Sequence, residues 1–161
     1  MSVNQEVIVD IDLLKKYDKP GPRYTSYPTA PHFHKGFDEE SWAEELRKSN
    51  AREDAPDLSL YFHFPFCDSL CLYCGCNVII TRTPAKIDEY IEYLKKEIDM
   101  LADYLPEKRT RKVRQFQWGG GTPTYLTADQ IRDIMEHVHK RFEFSDDVEA
   151  GVEIDPRELT T

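Results

Sequence analysis

Long apolar runs are missing from this sequence: no stretch approaches the ~18 residues that a membrane-spanning helix needs. Positive charge is in short supply, with 21 Lys and Arg against 30 Asp and Glu and a net charge of −9. That balance argues against nucleic acid or an anionic membrane as the partner, since either rewards clustered cations. The basic cluster that does occur, Lys108-Arg109-Thr110-Arg111-Lys112-Val113-Arg114, reads as a solvated helix-to-strand connection. Cysteine is scarce too, at four residues, and no basic-then-apolar leader opens the chain, so a secreted disulfide framework is not expected. Reduced thiols and no membrane span make the cytoplasm the expected location. What is present, 40% hydrophobic and 12% aromatic residues in a chain of 161, suffices for one packed core.

All four cysteines fall within ten residues, as Cys67-x-x-x-Cys71-x-x-Cys74-x-Cys76. Disulfides at such spacings would close only small, strained loops. Zinc is the stronger rival, because Cys71-x-x-Cys74 is a familiar half-site that Cys76 or His63 could complete. Zinc ribbons need a second Cys-x-x-Cys, however, and the chain has none. The spacing favours an iron–sulfur site in which Cys67, Cys71 and Cys74 hold three irons of a four-iron cluster and leave the fourth without a protein ligand. An open iron is free to bind a substrate or cofactor.

Hydrophobic periodicity places this loop. Leu58, Leu60, Phe62 and Phe64 alternate with Ser59, Tyr61 and His63, which predicts a strand with one apolar and one polar face ending just before the cysteines. A helix then starts with Thr83 as cap and Pro84 at its first position, turns Ile87, Tyr90, Ile91, Leu94, Ile98 and Leu101 to one side, and ends near Pro106. A second strand, about Val113 to Trp118, runs into Gly119-Gly120-Gly121-Thr122-Pro123, predicted to be a loop. Thr127 and Gln130 form a capping box for a second helix, with Ile131, Ile134, Met135, Val138 and Phe142 inward. A third strand alternates Val148, Ala150, Val152 and Ile154 with Glu149, Gly151 and Glu153, and Asp155-Pro156 stops it. The pattern is βαβαβ, an α/β arrangement implying a parallel sheet with right-handed crossovers and helices outside. Cysteine loop, glycine run and Glu153 then all fall at the C-terminal edge of the sheet, where βα proteins place ligands.

These residues carry a resemblance. Tyr61-Phe62-His63-Phe64-Pro65-Phe66-Cys67, the Cys-x3-Cys-x-Tyr-Cys-x-Cys core, and Trp118-Gly119-Gly120-Gly121-Thr122-Pro123-Thr124 resemble the radical S-adenosylmethionine enzymes. Cys76, where the haem-chaperone branch usually has phenylalanine, and the arm Pro20-Gly21-Pro22-Arg23-Tyr24-Thr25-Ser26-Tyr27-Pro28-Thr29-Ala30 narrow the likeness to the oxygen-independent coproporphyrinogen III oxidase family. With Glu153-Ile154-Asp155-Pro156-Arg157-Glu158, it extends over nearly the whole chain from about residue 10.

The resemblance implies a fold, a chemistry and a set of roles. Residues 1–55 would be an N-terminal extension with a Pro-rich arm and short helices, and residues 56–161 the first half of an open, TIM-like radical SAM barrel of a longer enzyme. S-adenosylmethionine would chelate the open iron, and an electron, from a donor such as flavodoxin or ferredoxin, would cleave its sulfonium to a 5′-deoxyadenosyl radical. That radical would take a hydrogen atom from a propionate of coproporphyrinogen III, carbon dioxide would leave with one electron passing to an acceptor, a vinyl group would remain, and two such events would give protoporphyrinogen IX in haem biosynthesis. Cys67, Cys71 and Cys74 match the cluster ligands, while Tyr61, Gly120 and Glu153 match contacts to the cluster-bound S-adenosylmethionine. Tyr73, Gly121 and Thr122 match positions around a second S-adenosylmethionine. Cys76 is expected not to ligate the cluster, since a fourth thiolate would block the open iron, and is the candidate catalytic residue.

Plainer readings attach to other residues. His32 and His34 read as solvated, and His63 either as an inner hydrogen-bonded histidine or as a residue near the cofactor. Arg23 reads as a surface tether or as a bidentate partner for a propionate. The alternatives to the oxidase are a haem-handling relative, either chaperone or haem-degrading enzyme, and a non-catalytic module, either zinc-stabilised or a cluster carrier.

Overall fold

A computed structural model describes residues 9–19, 29–105 and 111–157. Residues 20–28 of the Pro-rich arm, with Arg23, lie outside the described residues, as do Pro106, Lys108 to Thr110 and Glu158. The chain divides into two units, Met1–Asp38 and Glu39–Thr161. In the first, α1 (Ile11–Tyr17) is capped by Asp10, whose carboxylate accepts from the Asp12 and Leu13 amides at 3.0 Å each. A single 3-10 turn spans Ala30–His32. His32 is hydrogen-bonded to the Thr29 hydroxyl and His34 accepts from the Gly36 amide, so both exposed rings are engaged locally.

The second unit contains α2 (Glu39–Asn50), β1 (Leu58–Phe64), β2 (Phe66–Cys67), β3 (Ile79–Ile80), α3 (Pro84–Ala102), β4 (Val113–Gly120), a 3-10 turn at Pro123–Tyr125, α4 (Ala128–Arg141) and β5 (Phe144–Val152). β1, β4 and β5 form a parallel sheet in the order β1-β4-β5, open rather than closed, and β2 pairs in parallel with β3. No helix among the described residues is long and apolar enough to cross a membrane.

Burial explains the architecture. Phe62 and Phe64 of β1 and Val113, Phe116 and Trp118 of β4 are buried with Ile87, Ile91, Leu94 and Ile98 of α3 and Ile134 and Val138 of α4. Each such side chain contributes roughly 1.5–3 kcal/mol on leaving water, so the helices are held to one face of the sheet by the apolar half of each alternation. Tilted ring contacts reinforce that layer: the Phe64 and Trp118 centroids are 4.6 Å apart. Polar ties register the two helices, with Gln130 donating to Asp88 at 2.7 Å, Lys95 paired with Asp133, and His137 bound to Asp99 at 3.0 Å. The other half of each alternation, including Ser59, Tyr61, His63, Gln115, Gln117 and Glu149, belongs to the opposite face.

Several local expectations are corrected. β4 runs through Gly119 and Gly120, which pair with His63 and Phe64, so the first two glycines of the run are strand and not loop. They stay in the ladder because the missing Cβ lets the backbones close up: a Cβ on Gly120 would meet the Phe64 carbonyl oxygen at 2.7 Å, and its φ of 124° suits glycine alone. Thr83 occupies the cap position of α3 without its hydroxyl capping any amide, and its own amide donates to Thr81 Oγ1 at 3.1 Å. Leu101 faces solvent while Ala102 takes the buried place, and α3 ends there. β5 starts at Phe144, and Val152 and Ile154 are each 52% exposed because no helix or further strand among the described residues covers them. The described part of the basic cluster is anchored rather than free: Arg111 donates to the Pro56 carbonyl at 2.6 Å, Lys112 pairs with Glu143 and Arg114 with Asp147. The Thr127–Gln130 capping box forms in both directions.

Candidate functional site

The cysteine loop is held at its feet. Phe66 pairs with Ile79 and Cys67 with Ile80, so β2 and β3 close the intervening residues into a loop. The amide of Ile79 donates to the Pro65 carbonyl and that of Thr81 to the Cys67 carbonyl. Below them Arg82 grips Asp68 through Nε and Nη2, a fork matched to a carboxylate. The tip is solvated: Leu72 and Tyr73 are almost wholly exposed.

The glycine segment lies alongside these feet. The Gly121 amide donates to the Phe64 carbonyl at 2.8 Å and the Thr122 amide to the Phe66 carbonyl at 2.9 Å. Thr122 is buried, and its hydroxyl stands 3.4 Å from Cys67 Sγ. A Cβ on Gly121 would come within 2.7 Å of the same sulfur. Glycine at 121 therefore keeps room for the Cys67 thiol.

Glu153 follows β5 directly, and its amide donates to the Trp118 carbonyl at 2.9 Å. Its carboxylate returns across the sheet to accept from the Gly120 amide at 3.1 Å. Tyr61 sits on β1 with its hydroxyl 3.2 Å from His63 Nδ1, and the other ring nitrogen of His63 is 3.0 Å from the Asn77 carbonyl oxygen. The geometry makes His63 Nε2 a donor to that carbonyl and leaves Nδ1 to accept from Tyr61. His63 is thus a half-buried, hydrogen-bonded histidine that links the first strand to the cysteine loop. Loss of water pushes the Tyr61 hydroxyl above the ordinary phenol range, with Glu153 and Cys76 acting in the same direction. Loss of water and the neighbouring Cys74 push the Cys76 thiol up.

Cys67, Cys71, Cys74 and Cys76 are all free thiols. They open, together with Tyr73, Gly120, Gly121, Thr122 and Glu153, on one cleft of about 700 Å³ at the C-terminal edge of the sheet. Tyr61 stands on the strand beside that cleft, between His63 and Glu153. Among the described residues no three His, Cys, Asp or Glu side chains converge on a point where a single ion would sit. The donor set is nonetheless the soft, all-thiolate kind that iron–sulfur clusters take, borne on one loop and facing one cleft.

Three residues of this neighbourhood were given no role by the sequence. Gly119 is buried beneath Tyr61 and Glu153, and a Cβ there would lie 2.6 Å from the Tyr61 hydroxyl and 3.0 Å from a Glu153 oxygen. Asp155 and Arg157 line the cleft and pair with each other, which holds the Asp155 carboxyl down at about 2 and raises the Arg157 guanidinium. The Gly-run spacing could have drawn attention to Gly119; the Asp155–Arg157 pair needed the turn after β5.

No family model matches the chain. Among curated proteins it is 45% identical, over 99% of its length, to the oxygen-independent coproporphyrinogen III oxidase of Escherichia coli, and covers 33% of that protein. It is 44% identical to the protein of that name from Mannheimia haemolytica, over 94% of this chain and 99% of the relative. Among solved structures, that of coproporphyrinogen III oxidase from Escherichia coli, described as a radical SAM enzyme, superimposes with a TM-score of 0.75 at 41% identity, covering 97% of this chain and 33% of the other. The chain thus spans about a third of the length of the first relatives it matches.

Proposed function

The chain belongs to the oxygen-independent coproporphyrinogen III oxidase family, and from that membership we propose that it supplies the cluster-binding and S-adenosylmethionine-binding part of a radical SAM oxidoreductase acting on coproporphyrinogen III. Its fold is that of the first βα units of an open radical SAM barrel. The observation that carries the proposal is that Cys67, Cys71, Cys74 and Cys76, the glycine segment and Glu153 line one cleft at the C-terminal edge of a parallel sheet.

In this reading Cys67, Cys71 and Cys74 hold a [4Fe–4S] cluster by three irons, which suits an all-thiolate donor set. Cluster and S-adenosylmethionine together supply, when bound, the one-electron chemistry that takes a hydrogen atom from a propionate. Glu153 accepts hydrogen bonds from ribose hydroxyls with the lone pairs its Gly120 contact leaves free. Tyr61, oriented by His63, packs against the cofactor, and Gly120 lets the backbone approach it. Tyr73, Gly121 and Thr122 serve a second S-adenosylmethionine. Cys76, exposed beside Cys74, stays off the cluster and handles substrate or second cofactor. A porphyrinogen is the substrate, a flavodoxin or ferredoxin the electron donor, and the cytoplasm the location.

The test is anaerobic reconstitution with iron and sulfide, followed by EPR of the reduced protein with and without S-adenosylmethionine. A four-iron signal that changes on adding it supports the reading. Bound zinc, or a cluster signal indifferent to S-adenosylmethionine, counts against it.

A further inference from the structure

Beyond the strand that ends at Val152, the chain turns back over the cysteine loop. Arg157 Nη2 reaches Cys71 Sγ at 3.5 Å across 86 residues of sequence. The guanidinium is not left to wander. Asp155 accepts from Arg157 Nε at 2.9 Å and Nη2 at 2.5 Å, and from the Arg157 backbone amide at 3.0 Å. An Asx turn therefore closes on the same side chain that the carboxylate grips. The thiols differ in their company: Cys71 meets a cation, whereas Cys67 meets the neutral hydroxyl of Thr122.

We propose that Arg157, fixed by Asp155, is a positioning residue that donates a charge-assisted hydrogen bond to the Cys71 sulfur and raises the reduction potential of the cluster bound there. The inference rests on the reading that Cys67, Cys71 and Cys74 hold that cluster. Reduction adds one electron, from an external one-electron donor, and one negative charge, while Arg157 keeps its proton throughout. A cation and an N–H aimed at a ligating sulfur stabilise the more negative state more than the less negative one. Asp155 offsets part of that charge, and its grip supplies the fixed geometry that an arginine on a turn would otherwise lack.

The experiment compares the reconstituted chain with Arg157→Gln, Arg157→Lys and Asp155→Asn. Iron and sulfide per chain, the EPR signal and the midpoint potential are read for each. Expected is equal loading in all four, with the reduced-to-oxidised ratio of Arg157→Gln at a fixed poise lower by about tenfold, a shift of about 59 mV for one electron. Arg157→Lys recovers part of the shift because the charge returns without the planar fork, and Asp155→Asn changes the EPR signal by releasing the guanidinium. Equal loading with an unchanged potential in Arg157→Gln overturns the proposal. Loss of loading in Arg157→Gln and Arg157→Lys alike also overturns it, since the arginine would then be an anchor for the loop. A parent chain that takes up no cluster overturns the ligand reading itself, and is told apart because the variants then have no reference signal.

Discussion

The carboxylate of Glu153 and the amide of Gly120 are joined by a 3.1 Å hydrogen bond, so an acid from the end of β5 is held against the last residue of β4. The second oxygen of that carboxylate stands over Gly119, beside the hydroxyl of Tyr61. Gly119 and Gly121 therefore guard different neighbours, one the strand-borne groups and the other the Cys67 sulfur.

Alanine substitution separates the two. Gly119→Ala displaces Tyr61 and Glu153, and the expected outcome is retained iron and sulfide with S-adenosylmethionine affinity reduced more than tenfold, or at least ~1.4 kcal/mol, by equilibrium dialysis under anaerobic conditions. Gly121→Ala presses on Cys67 and the β2 backbone, and is expected to lower the iron content itself. Equal effects of both on loading would refute the division.

Single serine substitutions grade the thiols. Cys67→Ser, Cys71→Ser and Cys74→Ser are each expected to abolish the reconstituted cluster, read as iron, sulfide and visible absorbance. Cys76→Ser should keep it. Loss of the cluster in Cys76→Ser would place the fourth cysteine among the ligands.

Stability rests on the core beneath the site and on the helix start beside it. Thr127→Ala removes the acceptor of the Gln130 amide and should cost about 1 kcal/mol in urea unfolding. Ile134→Ala empties a fully buried position and should cost about 2–5 kcal/mol. Both are read from the denaturation midpoint at unchanged slope.

Asp155 offers a titration. Its folded carboxyl, depressed to about 2 by Arg157, lies below the ~3.9 of an unpaired aspartate, so the pairing stabilises the fold above that value. The contribution fades as pH falls through the folded value of about 2. Carboxyl NMR should show this midpoint in the parent and a higher one in Arg157→Gln, where the residue-157 amide still donates to the carboxylate but the guanidinium is gone. An unchanged midpoint in the variant would exclude the guanidinium as the cause.

Much of this arrangement was legible in the residues. Alternation from Leu58 to Phe64 specifies β1 and its two faces because a period of two is unambiguous over seven residues. The Thr127–Gln130 spacing gives the start of α4 for a local reason, two short hydrogen bonds. The glycines of β4 were misread because composition signals conformational freedom, whereas what Gly119 and Gly120 provide is close approach between strands. β2 and β3, two residues each, are too short to carry any period. Leu101 follows the helical spacing yet lies in the last turn of α3, where it is over a third exposed and Ala102 is the buried residue. The Arg157–Cys71 contact joins distant segments through a turn, and no local pattern encodes it.

The ladder that joins Trp118 to Val152, and then the Glu153 amide to the Trp118 carbonyl, makes the level of the acid a matter of counting. One residue inserted within the regular ladder from Glu149 to Val152 would turn Glu153 to the opposite face and bring its neighbour into the cleft. One inserted at the α4–β5 connection, before Phe144, would be absorbed without moving the acid. Length variation is thus tolerable ahead of Phe144 and ruinous once the ladder runs in regular register from Glu149, a limit set by strand parity and not by chemistry.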